Sequence, residues 1–253
     1  MNIDAPKHSQ LPALKALWQE AFGDTEAFLN VFEKTAFSAN RCRCITDGDK
    51  TVAALYWFDC SYCEGRIVYL YAIATAKSHR GQGLCKALME NTHAHLKQQG
   101  YRGAILVPGS PELFSFYQKM GYRTCASVDE LRCEASKGSV TIRQIDTGEY
   151  AKIRRSLLPH NGVVQENENL EFLKHLASFY VGDGFLLAAR GEDDTLYGLE
   201  LLGNKDTAPA ILNSLGYTKG VFRTQGASLP FAMFYPLDGD TVTPPSYFGF
   251  AFD

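Results

Sequence analysis

A glycine-rich turn between a strand-like run and a helix-like run is the feature that most constrains this chain. The apolar run 67–75 predicts a strand, and 84–98 predicts a helix. Gly81 and Gly83 lie in the turn between them. The first amides of a helix have no partner within it, the helix dipole favours anions, and glycines let a phosphate approach the backbone. We therefore predict that this turn binds the phosphate groups of a ligand.

The spacing of the turn excludes two common phosphate-binding motifs. A dinucleotide loop needs G-x-G-x-x-G, and the third glycine position here is Lys86. A nucleotide-triphosphate loop needs G-x-x-x-x-G-K-[ST], which occurs nowhere in the sequence. The remaining pattern is R-x-x-G-x-small, in which Arg80 would add a fixed cation suited to phosphate oxygens. On this string alone, an ordinary strand–turn–helix remains the alternative.

Two motifs together resemble the GNAT superfamily of N-acetyltransferases. The string Arg80-Gly-Gln-Gly-Leu-Cys85 is similar to its acetyl-CoA pyrophosphate loop, [QR]-x-x-G-x-[GA], and departs from it at Cys85. The string Phe116-Tyr117-x-x-x-Gly121-Tyr122 is similar to a second signature, a tyrosine on a helix followed by x-x-x-G-[FY]. The resemblance implies an α/β (mixed α+β) GNAT fold with a central mixed sheet for residues 1–135.

The resemblance also implies which residues contact acetyl-CoA. The side chains of Arg80 and Gln82 and the backbone amides of four neighbours would bind the pyrophosphate, and strand 70–75 would hold the pantetheine arm. An amide on this strand would polarise the thioester carbonyl. The amides of the loop would be those of Gly81, Gly83, Leu84 and Cys85, and the strand residues would be Ala72, Ile73 and Ala74.

Two residues are candidates for proton transfer. Tyr117 matches the family position of the general acid; an aromatic that packs the helix onto the sheet is the alternative. In acetyltransferases of the enhanced-intracellular-survival (Eis) type the terminal carboxylate is the base, which implies the same role for Asp253. Alternating aromatic residues predict a buried strand at 247–252. A terminal edge strand without a catalytic role is the alternative for this segment.

A second unit follows the polar junction 135–139 and repeats the order of elements. It has predicted helices at 147–157 and 167–180, but no arginine or glutamine followed by glycines at the required spacing. Residues 139–253 are therefore interpreted as a smaller, degenerate GNAT-like domain. The whole chain resembles the tandem-GNAT proteins of the Eis type without their third domain. An unrelated α+β accessory domain is the alternative for the second unit.

Composition narrows the possible partners. A net charge of −3 over 253 residues gives no broad attraction to nucleic acid or to an anionic membrane. No apolar run is long enough to span a membrane, and the N-terminus has no signal-peptide core, so we expect a cytoplasmic protein. Seven cysteines suit a reducing compartment. Four of them could supply zinc ligands, but Cys42 and Cys44 alternate like buried strand residues, so we expect no metal.

The sequence thus predicts an acetyl-CoA-dependent N-acetyltransferase that acts by direct attack of a primary amine on the thioester. The acceptor is a small molecule or a peptide, and its identity, the length of the acyl group and a homo-oligomeric state stay open. The alternative, from another functional class, is a CoA-binding regulatory or interaction protein that does not turn over.

Overall fold

The elements of the protein are seen in a computed structural model, which describes residues 1–239 and 241–252. The described strands, β1 to β13 in chain order, are Asn2–Asp4, Cys42–Asp47, Lys50–Tyr62, Gly65–Thr75, Gly103–Leu106, Arg123–Glu134, Ile142–Ile145, Val164–Gln165, Ser178–Gly182, Phe185–Glu192, Thr195–Gly203, Lys219–Gln225 and Leu229–Pro236. The α-helices, α1 to α7, are Leu11–Phe22, Glu26–Thr35, Leu84–Gln98, Pro111–Gln118, Thr147–Leu157, Glu168–Leu173 and Ala208–Leu215.

The described strands form one mixed sheet in the order β1-β2-β3-β4-β5-β13-β6-β12-β11-β10-β9-β7, with β8 paired to β3. Two neighbouring pairs are parallel, β4 with β5 and β11 with β12. Each parallel pair is connected by a helix, α3 in the first case and α7 in the second. The chain is therefore a mixed α/β fold in which the same strand–helix–strand unit occurs twice, as the sequence predicts.

The two halves of the chain share strands. The late strand β13 lies between β5 and β6, where it pairs antiparallel with both. On its other side β6 pairs with β12 of the second half. The sheet therefore runs without a break through the junction at 135–139, and the division into domains at 1–135 and 139–253 stays a prediction.

The sheet separates two apolar clusters in the first half of the chain. On one face α3 and α4 cover a cluster that includes Leu70, Leu106 and Tyr117. On the other face α1, α2 and the segment 247–252 cover a cluster that includes Tyr69. Residues 69 and 70 point to opposite faces because side chains alternate along a strand. A ligand that reaches both clusters must therefore pass through the sheet.

Two predicted elements are wrong. The helix predicted at 167–180 ends at Leu173, because residues 178–182 pair as β9 with β7 and β10. The strand predicted at 247–252 has a single bridge, between Tyr247 and Gly162, and otherwise no strand pairing among the described residues. Its alternating phenylalanines are nevertheless buried. The alternation therefore reflects packing in an apolar cluster, and not hydrogen-bonded pairing with a neighbouring strand.

The described part of the chain contains no helix long and apolar enough to cross a membrane. Within the same residues, no group of three or more His, Cys, Asp or Glu side chains could hold a metal ion. Cys42 and Cys44 are buried, and burial raises the pKa of both thiols. They lie in the apolar cluster under α1 and α2, as their alternation predicts.

Candidate active site

A cleft opens where strands β4 and β5 separate. The two strands pair at three positions only, ending at Tyr69 opposite Ile105. Beyond this point β4 continues to Thr75 while β5 ends at Leu106. A cavity of about 670 Å³ follows the opening and is lined by residues from both faces of the sheet. Beyond Tyr69 the facing edges of β4 and β5 do not pair with each other, a geometry that suits an extended ligand arm.

The far part of β4 carries a bulge at the cleft. Tyr71 pairs with Tyr56 and Ala74 with Ala54, so Ala72 and Ile73 together face a single residue of β3. Ala72 has a φ of 47°, a left-handed conformation that costs energy in a non-glycine residue. Bulges of this kind bend a strand and redirect its backbone groups near active sites. Ala72 and Ile73 line the cleft, whereas Ala74 is buried against β3 and does not.

The glycine turn presents an open helix N-terminus. Gly83 caps α3 in the left-handed region at φ 77°, and no side chain bonds the first amides of the helix. Gly81 also has a positive φ, and an added Cβ at either glycine would meet no atom within 4 Å. The loop 81–83 is exposed. Among the described residues the amides of Leu84, Cys85 and Lys86 have no hydrogen-bond acceptor within the helix or from a side chain, as an anion site requires.

Arg80 fixes the geometry of this turn. Its Nε donates a hydrogen bond to the carbonyl of Thr75, 3.1 Å away, while the residue remains exposed. The guanidinium is therefore held at the end of β4, and its terminal nitrogens stay available for an anion. Gln82 is exposed in the same loop.

The equivalent turn of the second half is built differently. A short 3₁₀ helix at 205–207, with no glycine, leads into α7. The side chain of Asn204 caps this 3₁₀ helix by accepting a hydrogen bond from the amide of Asp206 at 3.1 Å, and the amide of Ala208 donates to the carbonyl of Lys205. That the second unit has no phosphate loop stays a prediction.

Tyr117 of α4 lies in the cleft on the same face as α3. The residue is 7% exposed, and its hydroxyl has no hydrogen-bond partner among the described residues. Burial raises the pKa of Tyr117, and the nearby Cys85 thiol raises it further. The phenol therefore stays protonated at neutral pH, which a proton donor requires.

Cys85 is not a thiolate nucleophile. Burial raises the pKa of this thiol to about 11, so the thiol stays protonated at neutral pH. We expect Cys85→Ala to keep both acetyl-CoA affinity and turnover within about threefold of wild type, a difference of roughly 0.6 kcal/mol. Isothermal titration and initial rates measure the two quantities. A loss of turnover with unchanged affinity would contradict this expectation.

The segment before Asp253 enters the cleft from the opposite face. Ala251 and Phe252 line the cavity, and the hydroxyl of Tyr71 donates a hydrogen bond to the Phe252 carbonyl at 2.9 Å. Asp253, the predicted general base, lies outside the described residues. The role of Asp253 as general base stays a prediction. The two residues that precede it in the sequence, Ala251 and Phe252, form part of the cleft wall.

Most of the residues on the wall of the cleft opposite α3 and α4 were not predicted from the sequence. This wall is formed by side chains that are distant in the sequence, and no local motif marks them: Trp18, Phe22, Asp24, Phe28, Tyr69, Leu176, Arg190, Pro230 and Phe231. Phe22, at the C-terminal end of α1 next to Gly23, is exposed, and only the structure shows this.

Comparison with known proteins agrees with this geometry. A sequence model described as an acetyltransferase (GNAT) domain matches residues 2–125. No curated protein matches the chain significantly. Among solved structures, a GCN5-related N-acetyltransferase from Anabaena variabilis has a TM-score of 0.73 at 14% identity and covers 93% of this chain and 72% of its own.

Two further structures are similar over nearly the whole chain. A GCN5-related N-acetyltransferase from Kribbella flavida has a TM-score of 0.71 at 16% identity, covering 94% of this chain and 71% of its own. Eis1 from Mycobacterium abscessus has a TM-score of 0.69 at 11% identity, covering 95% and 75%. At these identities the similarity establishes the fold, and it includes the second half of the chain. The family match, the mixed sheet and the open turn before α3 together establish that residues 2–125 are a GNAT acetyltransferase domain.

Proposed function

We propose that the protein transfers an acetyl group from acetyl-CoA to a primary amine by direct attack on the thioester. Three features on one side of the sheet support this proposal. They are the open helix N-terminus at Gly83, the separation of β4 from β5 beyond Tyr69, and the protonated Tyr117, which lines the cleft and lies near Cys85 at the start of α3. The loop suits the pyrophosphate, and the separated strands suit an extended pantetheine arm.

The cofactor arm would bring the thioester to the bulge at Ala72 and Ile73. A neutral amine then attacks the carbonyl carbon, and a backbone amide of this bulge stabilises the charge that develops on the oxygen. The carbon–sulfur bond breaks, and Tyr117 gives its proton to the departing sulfur. The amine loses one proton in the same sequence. We propose Asp253 as its acceptor, because residues 251 and 252 line the cleft.

A charge reversal at Arg80 tests the cofactor site. We expect Arg80→Glu to weaken acetyl-CoA binding by about 10- to 150-fold, because charge-assisted hydrogen bonds contribute roughly 1.5–3 kcal/mol. Isothermal titration measures the dissociation constant. Arg132→Glu is the matched control, since Arg132 is exposed on β6 and does not line the cleft. Unchanged affinity in Arg80→Glu would overturn the assignment of the loop.

Binding and transfer are tested separately. Acetyl-CoA at about 100 times its dissociation constant should stabilise the fold by roughly 2.7 kcal/mol, which thermal unfolding detects. Release of free CoA thiol in the presence of an amine then reports transfer. Stabilisation without thiol release across primary amines of every class would favour a CoA-binding protein that does not turn over.

A further inference from the structure

The cleft has two sides of different composition. The side facing α3 and α4 contains Tyr117, Leu113 and the end of β5, and the proposed cofactor loop lies at the start of α3. The opposite side is formed by α1, the start of α2, the tyrosines of β4 and the segment that ends at Phe252. Since the thioester must enter from the α3 side, the attacking amine approaches from the opposite side. The chemistry of that second wall therefore determines which amines fit.

Aromatic rings dominate the wall on the acceptor side. Trp18 lies 5.5 Å from Tyr71 and 6.4 Å from Phe28, and Tyr71 lies 5.7 Å from Phe252, measured between ring centroids. Rings at such distances form a continuous apolar surface, which also offers π faces to a cation. Phe22 extends this surface to the rim, where 49% of the residue is exposed. Phe22 therefore adds exposed apolar surface that is continuous with the aromatic wall.

Charge on the described part of this wall is sparse and balanced. One carboxylate, Asp24, and one guanidinium, Arg190, line the cleft there. Asp24 already accepts a hydrogen bond from Trp18 Nε1 at 2.7 Å, so one of its hydrogen-bond acceptor sites is occupied within the protein. A polyamine or an aminoglycoside carries several ammonium groups, and each needs a carboxylate or water when it enters an apolar site. Such a ligand would also meet the positive charge of Arg190.

We propose that the acceptor is a primary monoamine attached to an aromatic or similarly bulky apolar group, and not a polycation. This inference rests on the proposed acetyl transfer and names its substrate class. The apolar group would lie against the rings of Trp18, Phe28 and Phe252, and Phe22 would cover it at the rim. The single amino group would point towards the thioester at Ala72 and Ile73, where Asp253 is the proposed proton acceptor, and so it needs no further carboxylate on the described part of the wall.

Steady-state rates with defined amines test the substrate class. The probes are 2-phenylethylamine, ethylamine and spermidine, each with saturating acetyl-CoA. We expect kcat/KM for 2-phenylethylamine to exceed both others by at least about tenfold, since burial of an apolar group in a fitted pocket discriminates by roughly 10- to 200-fold. A preference for spermidine would overturn the inference and leave acetyl transfer intact. Transfer to no amine would overturn acetyl transfer itself.

A rim variant locates the preference in this cleft. Phe22→Ala should lower kcat/KM for 2-phenylethylamine by about fivefold or more, because it removes apolar contact area. The same variant should change kcat/KM for ethylamine by less than about twofold, since a small amine does not reach the rim. Leu157→Ala is the matched control, an exposed apolar residue on α5 that does not line the cleft. Equal losses for both amines in Phe22→Ala would overturn the proposed placement.

Discussion

Tyr117→Phe is expected to lower kcat by about 10²- to 10⁴-fold, the range that general acid catalysis contributes. The substitution removes one oxygen from a buried ring and keeps the packing of α4 against Tyr122. Because this hydroxyl has no partner among the described residues, its loss leaves no protein group unsatisfied. Acetyl-CoA affinity should therefore change by less than about twofold, and pre-steady-state thiol release measures the chemical step.

Two further observations test the role of Tyr117. Tyr180→Phe is the matched control, since Tyr180 lies on β9 and does not line the cleft. Only the protonated phenol of Tyr117 can act as the general acid. Because burial raises the pKa of Tyr117, the phenol keeps its proton at higher pH than a free tyrosine does. Rates should therefore not fall on the alkaline side below about pH 10, the ordinary tyrosine pKa. Wild-type turnover in Tyr117→Phe, or an alkaline fall near pH 8, would exclude this residue as the acid.

The cofactor side of the cleft could be predicted from the sequence because its determinants are local. Helix α3 begins at Leu84 and ends at Gln98, the predicted bounds, and the two loop glycines have the positive φ that the turn requires. A glycine turn before a helix fixes its own geometry within a few residues. The sequence therefore predicted the open turn before α3 without knowledge of the rest of the fold, and binding of an anion there stays a prediction.

The acceptor side could not be predicted because it depends on long-range packing. Phe252 reaches Tyr71 from a position 181 residues later in the chain, and β13 enters the sheet between β5 and β6. Alternating burial at 248–252 was visible, but this pattern does not distinguish a paired strand from an extended segment inside an apolar cluster. Residues 178–182 likewise follow a helix-like pattern, and pairing with β7 and β10 determines their extended conformation.

A buried ion pair holds the segment that leads into the cleft. Arg154 and Glu200 are 2% and 0% exposed, and Arg154 Nε lies 2.7 Å from Glu200 Oε2. The hydroxyls of Tyr150 and Tyr247 donate to the same carboxylate at 2.7 and 3.0 Å. The guanidinium also stacks on the Phe250 ring at 4.6 Å. Tyr247 and Phe250 are therefore held against α5 and β11 by this ion pair, and Gln165 Nε2 also donates a hydrogen bond to the Phe250 carbonyl at 2.9 Å.

Glu200→Gln is expected to lower the free energy of unfolding by about 3–5 kcal/mol, because it leaves the buried charge of Arg154 without a counter-ion. Urea denaturation followed by circular dichroism measures the change. The matched control is Glu149→Gln, which breaks the pair with Arg143 at the exposed start of α5. That pair is solvated on both sides, so its loss should have little effect. Equal stability of the two variants would contradict the importance of the buried pair.

Gly249→Ala tests the same arrangement without removing a charge. A Cβ at this position would lie 1.6 Å from Glu200 Oε1 and 2.4 Å from Arg154 Nη2, so the segment or the ion pair must move. Gly138→Ala is the matched control, because an added Cβ there meets no atom closer than 3.5 Å and the residue does not line the cleft. Since Phe252 lies three residues after Gly249 and lines the cleft, displacement should also raise KM for the amine and leave acetyl-CoA affinity unchanged. Wild-type stability and KM in Gly249→Ala would show that this packing does not position the acceptor wall.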